Sequence, residues 1–216
     1  MAASEDWQFQ LSATSDRINR GLDQTSDKPS LGAEASWYPG AGAFANASVS
    51  SVRFFDAAPL GAEFIANAGY QWRWAADWSL QAMLSHYQFE NQPLASHFEY
   101  DEIGLTGGWR DCLFASFTAS PNTTYSLAPK ARAFSYNLNA HLPLSYGFSA
   151  VAGVGYYDLN ASLGAGFSYG DVGLVYQYRD VQFGISYVGT HGSERVDAML
   201  GAMLVHRWVA QASWHF

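Results

Sequence analysis

Charge is scarce in this sequence: 14% of its 216 residues are Asp, Glu, Lys or Arg, against roughly 25% in soluble domains. Long apolar runs are missing too. The longest, Ala150 to Tyr157 and Ala198 to Val205, reach eight residues even counting glycine. A spanning helix needs ~20, so a helical membrane protein is excluded. Basic charge is in deficit, with 11 Lys and Arg against 19 Asp and Glu for a net charge of -8. That offers no basic face for a nucleic-acid backbone, and no nucleic-acid partner is expected. The single Cys112 excludes an internal disulfide framework and any Cys-pair zinc site. Met1 to Asp6 has neither a basic start nor an apolar core, so no signal peptide is expected. No linker, charge block, short repeat or low-complexity stretch divides the chain, and 1–216 reads as one domain.

What is present is a period of two. From Ala62 to Trp74 the even positions are Ala62, Phe64, Ala66, Ala68, Tyr70, Trp72 and Trp74, and the odd ones are Glu63, Ile65, Asn67, Gly69, Gln71 and Arg73. A helix scrambles that sorting; a strand with one apolar and one mostly polar face produces it. The same alternation runs through Phe134 to Leu142 and through Trp208 to Phe216. Extended along the chain, it predicts twelve strands near 6–16, 30–38, 43–52, 62–74, 78–88, 98–110, 112–119, 133–144, 148–157, 168–178, 181–190 and 198–216. The connections alternate in length. Pro39 to Gly42, Ala75 to Asp77, Asp111, Ser145 to Gly147 and Arg179-Asp180 are short. Arg17 to Pro29, Arg53 to Gly61, Phe89 to His97, Ser120 to Arg132, Asp158 to Phe167 and His191 to Asp197 are longer. The pattern is that of an outer-membrane barrel with short periplasmic turns and long extracellular loops.

A period of two also fits a soluble lipocalin-like barrel or a sandwich, in which the apolar face points inward. Three observations favour the outward direction. The polar parity carries Glu34, Glu63, Arg73, Glu102, Arg110, Asp171 and Arg207, whereas the apolar parity has acids only near strand ends, at Glu99 and Asp101. Aromatics of the apolar parity gather at both strand ends, with Trp7, Trp37, Trp74, Trp78, Trp109, Phe148, Tyr178 and Trp214 beside the short turns or termini, as two membrane interfaces select. Phe216 ends the chain on the apolar parity, similar to the terminal signal read by the outer-membrane insertion machinery. The expected fold is all-β, a closed twelve-stranded antiparallel transmembrane β-barrel with both termini periplasmic.

The stretch Ser15-Asp16-Arg17-Ile18-Asn19-Arg20-Gly21-Leu22-Asp23-Gln24-Thr25, followed by Lys28-Pro29-Ser30-Leu31, resembles the opening motif of the TorF family of Gram-negative porins. Gly155-Tyr156-Tyr157-Asp158-Leu159 and the twelve-strand spacing are also similar. The family usually has aromatics where this chain has Arg17 and Asn19. The resemblance implies a porin-like role without naming a substrate.

A ring of twelve strands has a backbone radius of about 12 Å. Small inward residues such as Gly32, Ser48, Ser50, Gly69, Gly153 and Gly173 leave room for a narrow aqueous path. Its expected lining is Glu34, Glu63, Asn67, Gln71, Arg73, Glu102, Arg110, Asn137, Asn139, His141, Asp171, Gln177, Arg179, Arg207 and Gln211. Arg73, Arg110 and Arg179 at the short-turn ends, with Arg207 nearer mid-depth, predict a basic cluster in the periplasmic half, partly neutralised by Glu34, and hence a lean toward anions. Asp16, Arg20, Asp23 and Lys28 crowd the first long loop and read either as an extracellular rim that filters solute or as a salt-bridged loop packed into the mouth. His97, Glu99 and Asp101, with His191 and Ser193, supply no spacing that assembles a hydrolytic site, and no enzyme is expected. His86 and His206 read as interfacial histidines on the lipid-facing parity, Cys112 as a small lumen residue and Gly164-Ala165-Gly166 as a loop piece. The expected function is an outer-membrane channel for passive passage of small polar solutes, contacting outer-membrane lipid and lipopolysaccharide, without cofactor or metal. The runner-up is a closed-lumen barrel serving as scaffold or binding partner through its loops, with a barrel hydrolase behind it.

Overall fold

The computed structural model describes residues 6–124 and 129–216. Residues 1–5, where no signal peptide is expected, and 125–128, within the loop expected over 120–132, lie outside the described residues. The chain runs through β1 (Trp7–Thr14), a small hairpin β2 (Ile18–Asn19) and β3 (Leu22–Asp23), then β4 (Ser30–Gly40), β5 (Ala43–Val52), β6 (Gly61–Ala75) and β7 (Trp78–Glu90). After helix α1 (Ala95–Phe98) come β8 (Tyr100–Trp109), β9 (Leu113–Thr123), β10 (Ala131–Pro143) and β11 (Phe148–Asp158). Helix α2 (Asn160–Leu163) precedes β12 (Gly166–Tyr178) and β13 (Val181–His191), and α3 (Glu194–Leu200) precedes β14 (His206–His215). Every strand except the β2–β3 pair joins one closed antiparallel barrel, in which β14 returns to β1 with Leu11 opposite Trp214 and Ala13 opposite Ala212.

Short turns and long loops segregate to opposite ends of this ring. At the short-turn end, Arg110-Asp111 and Tyr146-Gly147 both have positive φ at successive residues, the backbone twist that matches tight antiparallel connections. The apolar faces point outward: Leu84 keeps 59% of its surface exposed, Val154 61% and Val172 59%. Buried apolar residues of a soluble barrel do not show such values, so the inward-facing alternative is excluded. Aromatics flank this belt, with Trp7 beside Trp37 (ring centroids 6.2 Å apart) and Trp74 beside Trp78 (6.4 Å) at the short-turn end. The buried apolar cluster lies instead at the long-loop end, where Leu22, Tyr157, Leu159, Leu163, Phe167, Val196 and Leu200 pack together.

Two expected elements differ. The strand expected over 198–216 starts only at His206, because the apolar run before it gives α3 and a 3-10 turn (Gly201–Met203) that bury Leu200 and Val205 at the barrel mouth. Cys112 belongs to the turn after β8, its amide donating to the Trp109 carbonyl at 3.1 Å, and does not begin a strand.

The belt sets a direct test. Leu138→Arg, at the middle of β10 on the outward face, is expected to cost about 2–4 kcal/mol. Asn139→Arg, one residue on and facing the lumen, is expected to cost far less. Urea unfolding from lipid vesicles compares the two, and equal costs would contradict the assigned faces.

Candidate functional site

Residues 15–29, the first long loop, run into the barrel instead of standing above it. At their centre is the β2–β3 hairpin, whose two-residue turn Arg20-Gly21 has φ of 51° and 75°, positive at both positions as a type I′ turn requires. Gly21 is required for space as well: a Cβ there would lie 2.4 Å from Thr190 Oγ1 and 2.6 Å from Tyr169 Cβ. The Thr190 hydroxyl donates to the Gly21 carbonyl at 2.7 Å, which holds the tip against β12 and β13.

Charge holds the rest of the loop. Arg20 donates from Nη1 and Nη2 to the two carboxylate oxygens of Glu102 at 2.6 and 2.7 Å, the fork geometry that favours arginine over lysine. Its guanidinium also lies 4.9 Å from the centroid of the Tyr157 ring. Burial opposes the charge on Arg20, yet the Glu102 hydrogen bonds and the surrounding field more than offset this and raise its pKa well above the ordinary value. Arg17 donates from Nε to Glu63 Oε2 at 2.9 Å and contacts the same oxygen through Nη2. On the other side, Arg207 donates to Asp16 Oδ2 at 2.9 Å, lies 3.5 Å from Asp23 Oδ2 and touches Asp27. Thr25 adds two more bonds, hydroxyl to Asp16 Oδ1 at 2.7 Å and amide to Asp23 Oδ1 at 2.6 Å. Burial raises the Asp16 carboxyl above its ordinary pKa; the Thr25 hydroxyl opposes the rise, Asp23 adds to it and Arg207 pulls it down. Because β8 and β14 face each other across the ring, these pairs carry the loop over the full width of the barrel.

The loop therefore partitions the interior. On its short-turn side lie two polar cavities of about 300 and 660 Å³ that share Gln10, Ser12 and Arg17 in their walls. On its long-loop side a cleft of about 640 Å³ opens among the loops, lined by aromatic residues and sharing no wall residue with the other two.

Of the expected lining, Glu34 and Asn67 border the smaller polar cavity, and His141, Asp171 and Gln211 the larger. Asn139 and Asp171 flank Gly153, whose missing side chain makes room for both, and Asn137 accepts from the Tyr169 hydroxyl. Gln71 and Gln177 sit toward the short-turn end, Gln177 donating to the Arg179 carbonyl at 2.5 Å. Other expectations need correction. Glu63 and Glu102 are buried beneath the loop as its anchors and do not line an open path. Of the two readings of the first loop, the rim fits only Lys28, exposed and 3.3 Å from Asp56, whereas Asp16, Arg20 and Asp23 lie inside the mouth. Arg207, the second residue of β14, is committed to loop carboxylates near the mouth and not at mid-depth.

The expected basic cluster does not form either. Arg73 pairs with Asp111 at 3.1 Å and Arg110 with Asp77 at 3.3 Å, both exposed at the turns. Arg110 and Arg179 lie over the outward-facing rings of Trp109 and Tyr178 at 4.8 and 5.4 Å. At that end water, turn carboxylates and ring faces are all available to a guanidinium, and none is deep in the lumen. Among the described residues, no hydrogen bond joins His97, Glu99, Asp101, His191 and Ser193 to one another; Asp101 binds the exposed His86 (2.8 Å) and the half-buried Asn122 (2.9 Å). Arg17, Gly21, Tyr157 and Thr190 join the site without being among the candidate site residues. For the hairpin a local signal exists in Arg20-Gly21 between Ile18-Asn19 and Leu22-Asp23, a tight-turn pattern; for Tyr157 and Thr190 the pairing is nonlocal.

A closed ring of twelve antiparallel strands, apolar outside and polar within, with its long loops at one end, is the architecture of the outer-membrane β-barrels. Solved structures share it. The KdgM porin superposes with a TM-score of 0.63 over 97% of this chain and 99% of that one, at 10% identity. A KdgM porin in complex with disordered oligogalacturonate gives 0.60 over 98% and 99%, at 9% identity. LpxR from Salmonella typhimurium gives 0.55 over 97% and 99%, at 7% identity. At such identities the likeness is one of fold. No protein-family model matches the sequence, and no curated protein sequence does.

The Arg20–Glu102 pair is nearly enclosed, so breaking it and removing it differ. Glu102→Leu alone is expected to destabilise by about 3–5 kcal/mol, leaving Arg20 buried without its acid, whereas Arg20→Met combined with Glu102→Leu is expected to restore most of that loss. A double-mutant cycle by urea unfolding checks this; strictly additive costs would contradict the pairing.

Proposed function

We propose that the chain is a porin-like outer-membrane channel for passive passage of small polar solutes, non-enzymatic, with its termini and short turns on the periplasmic side and its long loops outside. The observation that carries this reading is the inversion of a soluble protein's polarity: an exposed apolar belt around a lumen walled by Gln, Ser, Asn and a few charges. The KdgM porin and the oligogalacturonate-bound form support a solute path in this fold. The resemblance to the TorF family, carried by residues 15–31, belongs to the same proposal.

The lean toward anions is not kept. Arg17, Arg20 and Arg207 are each committed to loop or wall carboxylates, and Arg73 and Arg110 to turn carboxylates. Among the described residues, Glu34 and Asp171 face the lumen without a cationic partner. Carboxylates in a pore wall attract cations, and the channel is proposed to favour small cations and neutral polar solutes.

A second reading has its own support. The ion-paired loop across the mouth is what a closed-lumen scaffold, binding partners through its outer loops, requires. Planar-bilayer recordings separate the two. The channel reading expects discrete conductance with a reversal potential displaced toward cations under a potassium chloride gradient, and a smaller displacement after Glu34→Gln with Asp171→Asn. Absence of conductance from correctly folded protein would favour the scaffold.

A further inference from the structure

The outer cleft differs from the lumen beneath the loop. Its floor is aromatic: Phe54, Phe55, Phe89, Phe98 and Tyr100 line it. Phe54 meets Phe89 and Phe98 edge-on, each at 5.2 Å between centroids, so the rings stand at angles and do not close into one flat stack. Leu22, Met199, Leu200 and Met203 complete the apolar wall, and the two methionines, on and beside α3, are adaptable in shape. A volume of about 640 Å³ falls within the roughly 300–1,000 Å³ of small-molecule pockets.

Charge at this cleft is of one dominant sign. Among the described residues, Asp23, Asp27 and Asp56 line it with one cation, Lys28, which lies 3.3 Å from Asp56. Behind the wall, Arg207 is shared among Asp16, Asp23 and Asp27. Three carboxylates and one lysine thus line an apolar, aromatic cavity at the long-loop end, with Arg207 reaching two of the three from behind. Aromatic faces attract cations through their quadrupole, most strongly where water is excluded, and rings set at angles are how quaternary ammonium groups are caged. A carboxylate-bearing ligand meets the opposite field, and a polyol cannot replace its lost hydration on phenylalanine rings.

We propose that the outer cleft is a binding site for organic cations, an ammonium head carried on an apolar or aromatic body, with the body against Phe54, Phe55 and Met199 and the head toward Asp27 and Asp56. The site lies wholly outside the loop partition, so binding there does not depend on whether the lumen conducts. It gives the outer mouth a selectivity of its own.

Calorimetric titration of the intact barrel in phosphatidylcholine nanodiscs, with empty nanodiscs subtracted, tests this. Three probes suffice: benzyltrimethylammonium, 3-phenylpropionate and glucose. Saturable binding of benzyltrimethylammonium, at least tenfold tighter than that of 3-phenylpropionate and with no binding of glucose, is the expected result. Phe55→Ala and Asp56→Asn change exposed residues. Each is expected to weaken the ammonium severalfold while the heat-modifiable mobility of the closed barrel is retained. No saturable binding beyond empty discs, equal or tighter binding of 3-phenylpropionate, tight binding of glucose, or full affinity in both variants would overturn the proposal.

Discussion

The closed hydrogen-bonded ring is the constraint on which everything else rests. Inside an apolar belt no water reaches the backbone, so every N–H and C=O must be satisfied between strands and no edge can be left open. Pairing of β1 with β14 as well as with β4 meets that demand. Once the ring is closed, the strand period of two fixes the faces: a residue is either against the belt or in the lumen. The lumen therefore inherits the polar set, Glu63 and Glu102 among it, in a space with little water near the mouth.

Those two carboxylates explain the loop. An unpaired charge so enclosed costs several kcal/mol, and partners from neighbouring strands are lacking because the wall there is mainly serine, threonine and tyrosine. Arg17 and Arg20 reach them only if residues 15–29 cross the barrel. Arg207 then neutralises the acids that the same loop brings inside, and Gly21 lets the tip approach Thr190 closely. The crossing gives the apolar side of the hairpin, Leu22, a place in the cluster formed by α2 and α3. Electrostatics and apolar burial thus fix the partition together, and the aromatic cleft is the space left above it.

The sequence carries the ring legibly because parity is a local property, repeated in every strand and checked twelve times over. Strand number, alternation of turn and loop lengths, and the outward direction of residues such as Leu138 and Val172 followed from it. What did not follow depends on partners far apart in the chain. Arg110 and Arg179 have the parity of lumen residues, but positive φ in the turns and nearby Trp109 and Tyr178 turn them outward. Glu63 and Glu102 face inward as expected, yet nothing local to them signals arginines more than 40 positions away. The run 198–205 alternates too weakly to separate a strand from a short helix, and burial at the mouth decided it.

Residues 15–29 lie across the lumen and narrow it. In the ring Thr14 is directly opposite Ser30, so the intervening loop can be exchanged for an Asn-Gly turn without altering strand register. Glu63→Gln, Glu102→Gln and Arg207→Gln made together leave no charge stranded. Single-channel conductance of this variant against the intact protein is the direct measurement. A severalfold larger conductance with the barrel still closed is the predicted result; an unchanged conductance would contradict the partition.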